Sequence, residues 1–103
     1  MSYYANSEER AKLIAGLRWL AEFLNQNPQV PAPCYADLLV FPARGTNAEM
    51  FAEIEAIAGQ IGVTATWNDT PDGHYIASRN FGPVQYRAVA IPHAARDEHE
   101  EAK

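Results

Sequence analysis

A chain of 103 residues is the size of one domain, and 48% apolar with 20% charged residues is the composition of a folded globular protein, not of a disordered or fibrous one. A net charge of −5 withholds the counterion-release term on which general nucleic-acid affinity rests, so a nucleic-acid partner is disfavoured. No apolar run approaches the ~20 residues that cross a bilayer. Residues 1–7 hold neither the basic segment nor the apolar stretch of a secretory leader, and the lone Cys34 has no partner for an internal disulfide. We therefore expect a protein of the reducing cytoplasm, with no membrane association.

Asn6 followed three residues later by Glu9 has the form of a capping box, which satisfies backbone donors at a helix start. Leu13, Leu17, Leu20 and Leu24 then recur at helical spacing with Ile14 and Ala21 beside them, predicting an amphipathic helix with one core face. Trp19 and Phe23 lie off the centre of that stripe, either widening it or forming a second contact surface. Asn25, Asn27 and Pro28 stop the helix. Pro28, Pro31 and Pro33 favour an extended connector. The apolar run of residues 38–41, bounded by Asp37 and Pro42, reads as a first strand buried on both faces or central in the sheet.

Thr46 and Glu49 make a second capping box, followed by Met50, Phe51, Ile54, Ile57, Ala58 and Ile61 at helical spacing and by Gly62 as terminator. Residues 63–67 alternate as a strand. Thr70-Pro71-Asp72-Gly73 reverses the chain. Two strands follow, residues 74–81 and 84–91, joined at Gly82-Pro83. Asp97, Glu98, Glu100 and Glu101 fall in residues 93–103, read as a charged tail outside a single α+β domain of residues 1–92. The order α-β-α-β-β-β predicts a two-layer sandwich, with a four-stranded, mostly antiparallel sheet and both helices on one face.

A two-residue turn at Gly82-Pro83 sets Phe81 opposite Val84, Arg79 opposite Tyr86 and Ala77 opposite Ala88. One face then carries Tyr75, Arg79, Phe81, Val84 and Tyr86; the other carries His74, Ile76, Ser78, Arg87, Val89 and Ile91. Either Ala77, Ala88 and Ala90 make room for helices and the aromatics are core, or the aromatic face looks outward. We place Ile76, Val89 and Ile91 in the core. Tyr75, Arg79, Phe81 and Tyr86 then form a candidate interface, because tyrosine, phenylalanine and arginine are enriched at binding hot spots.

Other chemistry has weaker footing. Arg44 and Thr46, at the start of the second helix, are a candidate anion site, although capping already accounts for Thr46. His93 and His99 are too far apart, in an acid-rich tail, to suggest a metal site, and neither metal nor cofactor is expected. Cys34 lacks a neighbouring base to activate it. Asp69 and Asp72 sit where a Pro-Asp-Gly turn needs carboxylates for local hydrogen bonds alone.

Two stretches, Leu17-Arg18-Trp19-Leu20-Ala21-Glu22-Phe23-Leu24 with Pro28 and the connector to Pro33, and Phe81-Gly82-Pro83-Val84-Gln85-Tyr86-Arg87-Ala88-Val89, resemble small uncharacterised α+β proteins of high-GC actinobacteria and their phages and plasmids. The likeness covers most of the chain and carries no catalytic motif. It implies an intracellular protein of mobile-element origin.

These features together lead us to expect a small non-catalytic binding or regulatory protein that acts through protein contacts, with itself as a homodimer or with a partner. The alternatives are a nucleic-acid-binding regulator using Arg79, Arg87, Arg44 and Arg18, and a small-ligand enzyme built on His74, Asp72 and a tyrosine.

Overall fold

Two reciprocal capping boxes start the two helices. In the computed structural model, which describes residues 4–68 and 73–93, Asn6 Oδ1 accepts from the Glu9 N–H at 2.8 Å while Glu9 Oε1 accepts from the Asn6 N–H at 3.0 Å. Helix α1 (Ser7–Gln26) follows. It ends where the Asn27 N–H and side-chain amide both donate to the Phe23 carbonyl, at 3.0 and 2.8 Å. Thr46 and Glu49 repeat the arrangement at α2 (Asn47–Ile61), which Gly62 closes in the left-handed region at φ 72. A Cβ disfavours that conformation, which explains why glycine ends this helix.

The described residues divide into two units at Cys34 and Tyr35, where the sequence reads as one domain through residue 92. The first holds α1, and within that unit none of the helix residues, the leucine stripe included, is buried.

The second unit is a mixed sheet under α2. Its strands are β1 (Ala36–Val40), β2 (Thr66–Trp67), β3 (Tyr75–Phe81) and β4 (Val84–Ala90), in spatial order β1-β4-β3-β2. The β1–β4 pair is parallel and the other two are antiparallel, giving the α+β, mostly antiparallel sheet that the element order predicts. The β3–β4 register matches the expected one, with Phe81 opposite Val84, Arg79 opposite Tyr86 and Ala77 opposite Ala88. Gly82 at φ 61 followed by Pro83, whose ring holds φ near −65°, is a type II′ hairpin turn.

β1 differs from expectation. It is an edge strand, because β4 takes up its hydrogen bonds on one side only, and Leu39, on the sheet face away from α2, is half exposed. The turn expected at residues 70–73 and the tail of residues 94–103 lie outside the described residues, apart from Gly73.

The strand pairings make β1 and β2 run in the same direction at opposite edges, so α2 is a crossover that spans the two central strands. Met50, Ile54, Ile57 and Ala58 of α2 pack on Ala77, Ala88 and Ala90. Three alanines beneath the helix let its backbone approach closely, and the long helix side chains supply the core volume.

Candidate functional site

The crossover decides which sheet face is covered, and it is the aromatic one. Ala77 and Ala88 share a face with Tyr75 and Tyr86, and both tyrosines pack against the α2 core. Of the three residues expected in the core, Val89 is buried, although on the sheet face turned away from α2; Ile76 on that same face is half-buried, and Ile91, just past β4, is exposed, so for these two the expectation is corrected. The proposed outward quartet does not stay together. Tyr75 and Tyr86 go into the core layer, while Phe81 and Arg79 project past the C-terminal end of α2. There Arg79 Nη1 donates to the Ile61 carbonyl at 3.3 Å, and its guanidinium lies 5.1 Å from the Phe81 ring centre. A cation on the last carbonyls of a helix complements the helix dipole, so this arginine has a structural task.

The other arginines do not converge. Arg87 lies on the opposite sheet face from Arg79, its Nη2 donating to Gln85 Oε1 and its Nε buried with no partner among the described residues.

Arg44 is turned to the end of β4. Its Nη1 donates to the Ile91 carbonyl at 2.6 Å, and its Nη2 donates to His93 Nδ1 at 2.9 Å. His93 in turn meets the Gly45 carbonyl through Nε2 at 2.9 Å and the Asn47 Oδ1 through its own N–H at 2.8 Å. The Thr46 hydroxyl accepts from the Glu49 N–H, and the Glu49 carboxylate already sits on the Thr46 N–H. The candidate anion site at Arg44 and Thr46 is thus occupied by the protein's own groups. No sequence signal joins Arg44 to His93, which are 49 residues apart.

Phe51, Trp67 and Tyr75 bring three rings together from α2, β2 and β3. Their centroids are 5.0, 5.4 and 4.6 Å apart, the spacing of rings packed on one another, so no cation fits between them. Desolvation raises the Tyr75 phenol above its ordinary pKa, and the charge of Glu55 and a hydrogen bond to it act in the same direction.

A run of exposed apolar side chains lies on α1. Leu13, Ile14, Leu17, Leu20 and Phe23 are all exposed along one side, and Trp19 is 78% exposed. Gly16, Trp19, Leu20 and Phe23 line a shallow, almost wholly apolar hollow of about 290 Å³. These four residues stand at i, i+3, i+4 and i+7, the diamond that receives a side chain in helix-on-helix packing. The sequence shows the stripe; its exposure is a finding of the structure.

Among the described residues no three His, Cys, Asp or Glu side chains gather as a metal set, and no helix is long and apolar enough to cross a membrane. Fold and surface together define an α+β protein with a crossover helix on a mixed sheet in one unit and an amphipathic helix in the other. Comparison with protein-family models, with curated proteins and with solved structures found no match to this chain.

Proposed function

We propose that this is a small cytoplasmic binding or regulatory protein that acts through protein–protein contacts, and that α1 carries the contact. One observation supports the reading most. A helix of 20 residues holds five leucines, isoleucines and phenylalanines in the open along one side, flanked by a tryptophan. Exposed apolar patches of this extent mark interaction sites, and aromatic residues are the usual anchors. The lone cysteine and the resemblance to phage and plasmid proteins support the cytoplasmic, mobile-element setting.

A photo-reactive phenylalanine analogue in place of Trp19 tests this in growing cells. The expected result is one protein adduct of defined mass that disappears when Leu17 and Leu20 are both changed to glutamate. Adducts to nucleic acid, or an adduct unaffected by the two glutamates, would overturn it.

A further inference from the structure

We infer that the occupant of the α1 surface is the α1 helix of a second copy, packed antiparallel about a two-fold axis. This rests on the reading that α1 is a protein-contact surface, and it names the partner.

Leu13, Leu17, Leu20 and Leu24 follow one another at intervals of four, three and four, the seam spacing of a two-helix coiled coil. Pairing the seam antiparallel puts Leu13 opposite the partner's Leu24 and Leu17 opposite the partner's Leu20. The flanking positions then match large with small. Ile14 faces the partner's Ala21, and Gly16 faces the partner's Phe23, which enters the hollow above the glycine. Each contact occurs twice, as a two-fold axis requires. A Cβ built on Gly16 meets nothing within 4 Å, so that space is open to an incoming ring.

A parallel pair fails the same test. It sets Gly16 against the partner's Ala21, two small residues over an unfilled hollow, and Ile14 against the partner's Glu9. Size complementarity therefore selects the antiparallel arrangement.

Charge and exposure agree with self-association. Glu8, Glu9 and Glu22 balance Arg10, Lys12 and Arg18, so α1 is neutral while the whole chain is at −5, and no charge falls on the seam from Leu13 to Leu24. Leu13, Ile14, Leu17, Leu20 and Phe23 are all exposed and so available for burial in an interface, for which ~800 Å² per partner is the standard size.

Sedimentation of the purified full chain at several concentrations and two salt concentrations is the test. The expected result is a reversible shift from the 11.4 kDa monomer to twice that mass, insensitive to salt. Gly16→Phe should weaken the dimer about tenfold or more by overfilling the hollow, with helix content kept because the position is open in the monomer. Adding Phe23→Ala to Gly16→Phe should restore association. A strict monomer at the highest concentration, or a Gly16→Phe protein that dimerises like the unaltered chain, overturns the proposal. A monomer that still forms the Trp19 adduct with a different protein overturns the dimer alone and leaves α1 as a contact surface.

Discussion

Arg44 donates to the Nδ1 of His93 at 2.9 Å, and that one contact sets the state of the imidazole. A guanidinium can only donate, so Nδ1 accepts and the ring proton sits on Nε2, aimed at the Gly45 carbonyl 2.9 Å away. With the bond from Arg44 to the Ile91 carbonyl, the pair ties the residues after β4 to the start of α2.

Arg44→Ala should therefore destabilise the fold by roughly 1–2 kcal/mol, a fall in Tm on the order of 5–10 °C. Arg44→Lys should recover little of this, because the two guanidinium nitrogens reach different acceptors and one ammonium cannot span both. Thermal unfolding followed by circular dichroism reads both variants, and a Lys variant as stable as the parent would refute the tie.

The two sheet faces should respond differently to substitution. Ala88 is fully buried beneath α2 beside Ala77, and added volume there pushes the helix off the sheet. Ala88→Leu should cost about 3 kcal/mol, near the upper end for overpacking. Val89→Ala removes two methyl groups from a buried site on the face away from α2, outside the α2–alanine cluster, and should cost less, roughly 1–2 kcal/mol. Urea unfolding measures both, and the reverse ranking would mean that α2 covers the other face.

Glu49 predicts a specific acid sensitivity. The Thr46 backbone N–H, and then the Thr46 hydroxyl, hold its carboxyl below the ordinary carboxylate range. A carboxyl with a lowered folded pKa adds stability above its unfolded pKa and loses that contribution as pH falls through the folded value. Glu49→Gln should thus be less stable than the parent at neutral pH, and the gap should close as pH drops below the ordinary carboxylate range. A gap that stays constant through acid titration would contradict the capping role.

Tyr75 should titrate above the ordinary phenol range when phenolate absorbance is followed through alkaline pH. Loss of solvent around the ring is the main cause, so Glu55→Gln should lower its pKa only in part. A Tyr75→Phe protein identifies the late phase by removing it. An unchanged absorbance curve in that variant would show that Tyr75 is not the late-titrating group.

Much of the local structure was legible in the residues. Asn6 with Glu9, and Thr46 with Glu49, mark both helix starts because a capping box satisfies donors within four residues. The β3–β4 register follows from Gly82-Pro83 because a two-residue turn leaves no freedom in pairing. β2 shrank from the expected five residues to Thr66–Trp67 because only that end of the run reaches β3.

The functional surface was not legible in the same way. The alternation along β3 and β4 puts partly apolar side chains on both faces, and Ala77 with Ala88 was compatible with either a helix seat or a gap. Likewise, a leucine stripe on α1 looks the same whether it faces a core or water.

Sequence by itself determined what short-range chemistry controls: helix starts and stops, the hairpin register, the α+β order and the amphipathic stripe of α1. Tertiary structure alone decided that β1 is an edge parallel to β4, that α2 crosses the aromatic face and that Arg44 meets His93. The physical reason is range. Caps and tight turns are closed by bonds between near neighbours, whereas the face a crossover helix covers depends on strand order and on the hand of the connection, which no local run of residues encodes.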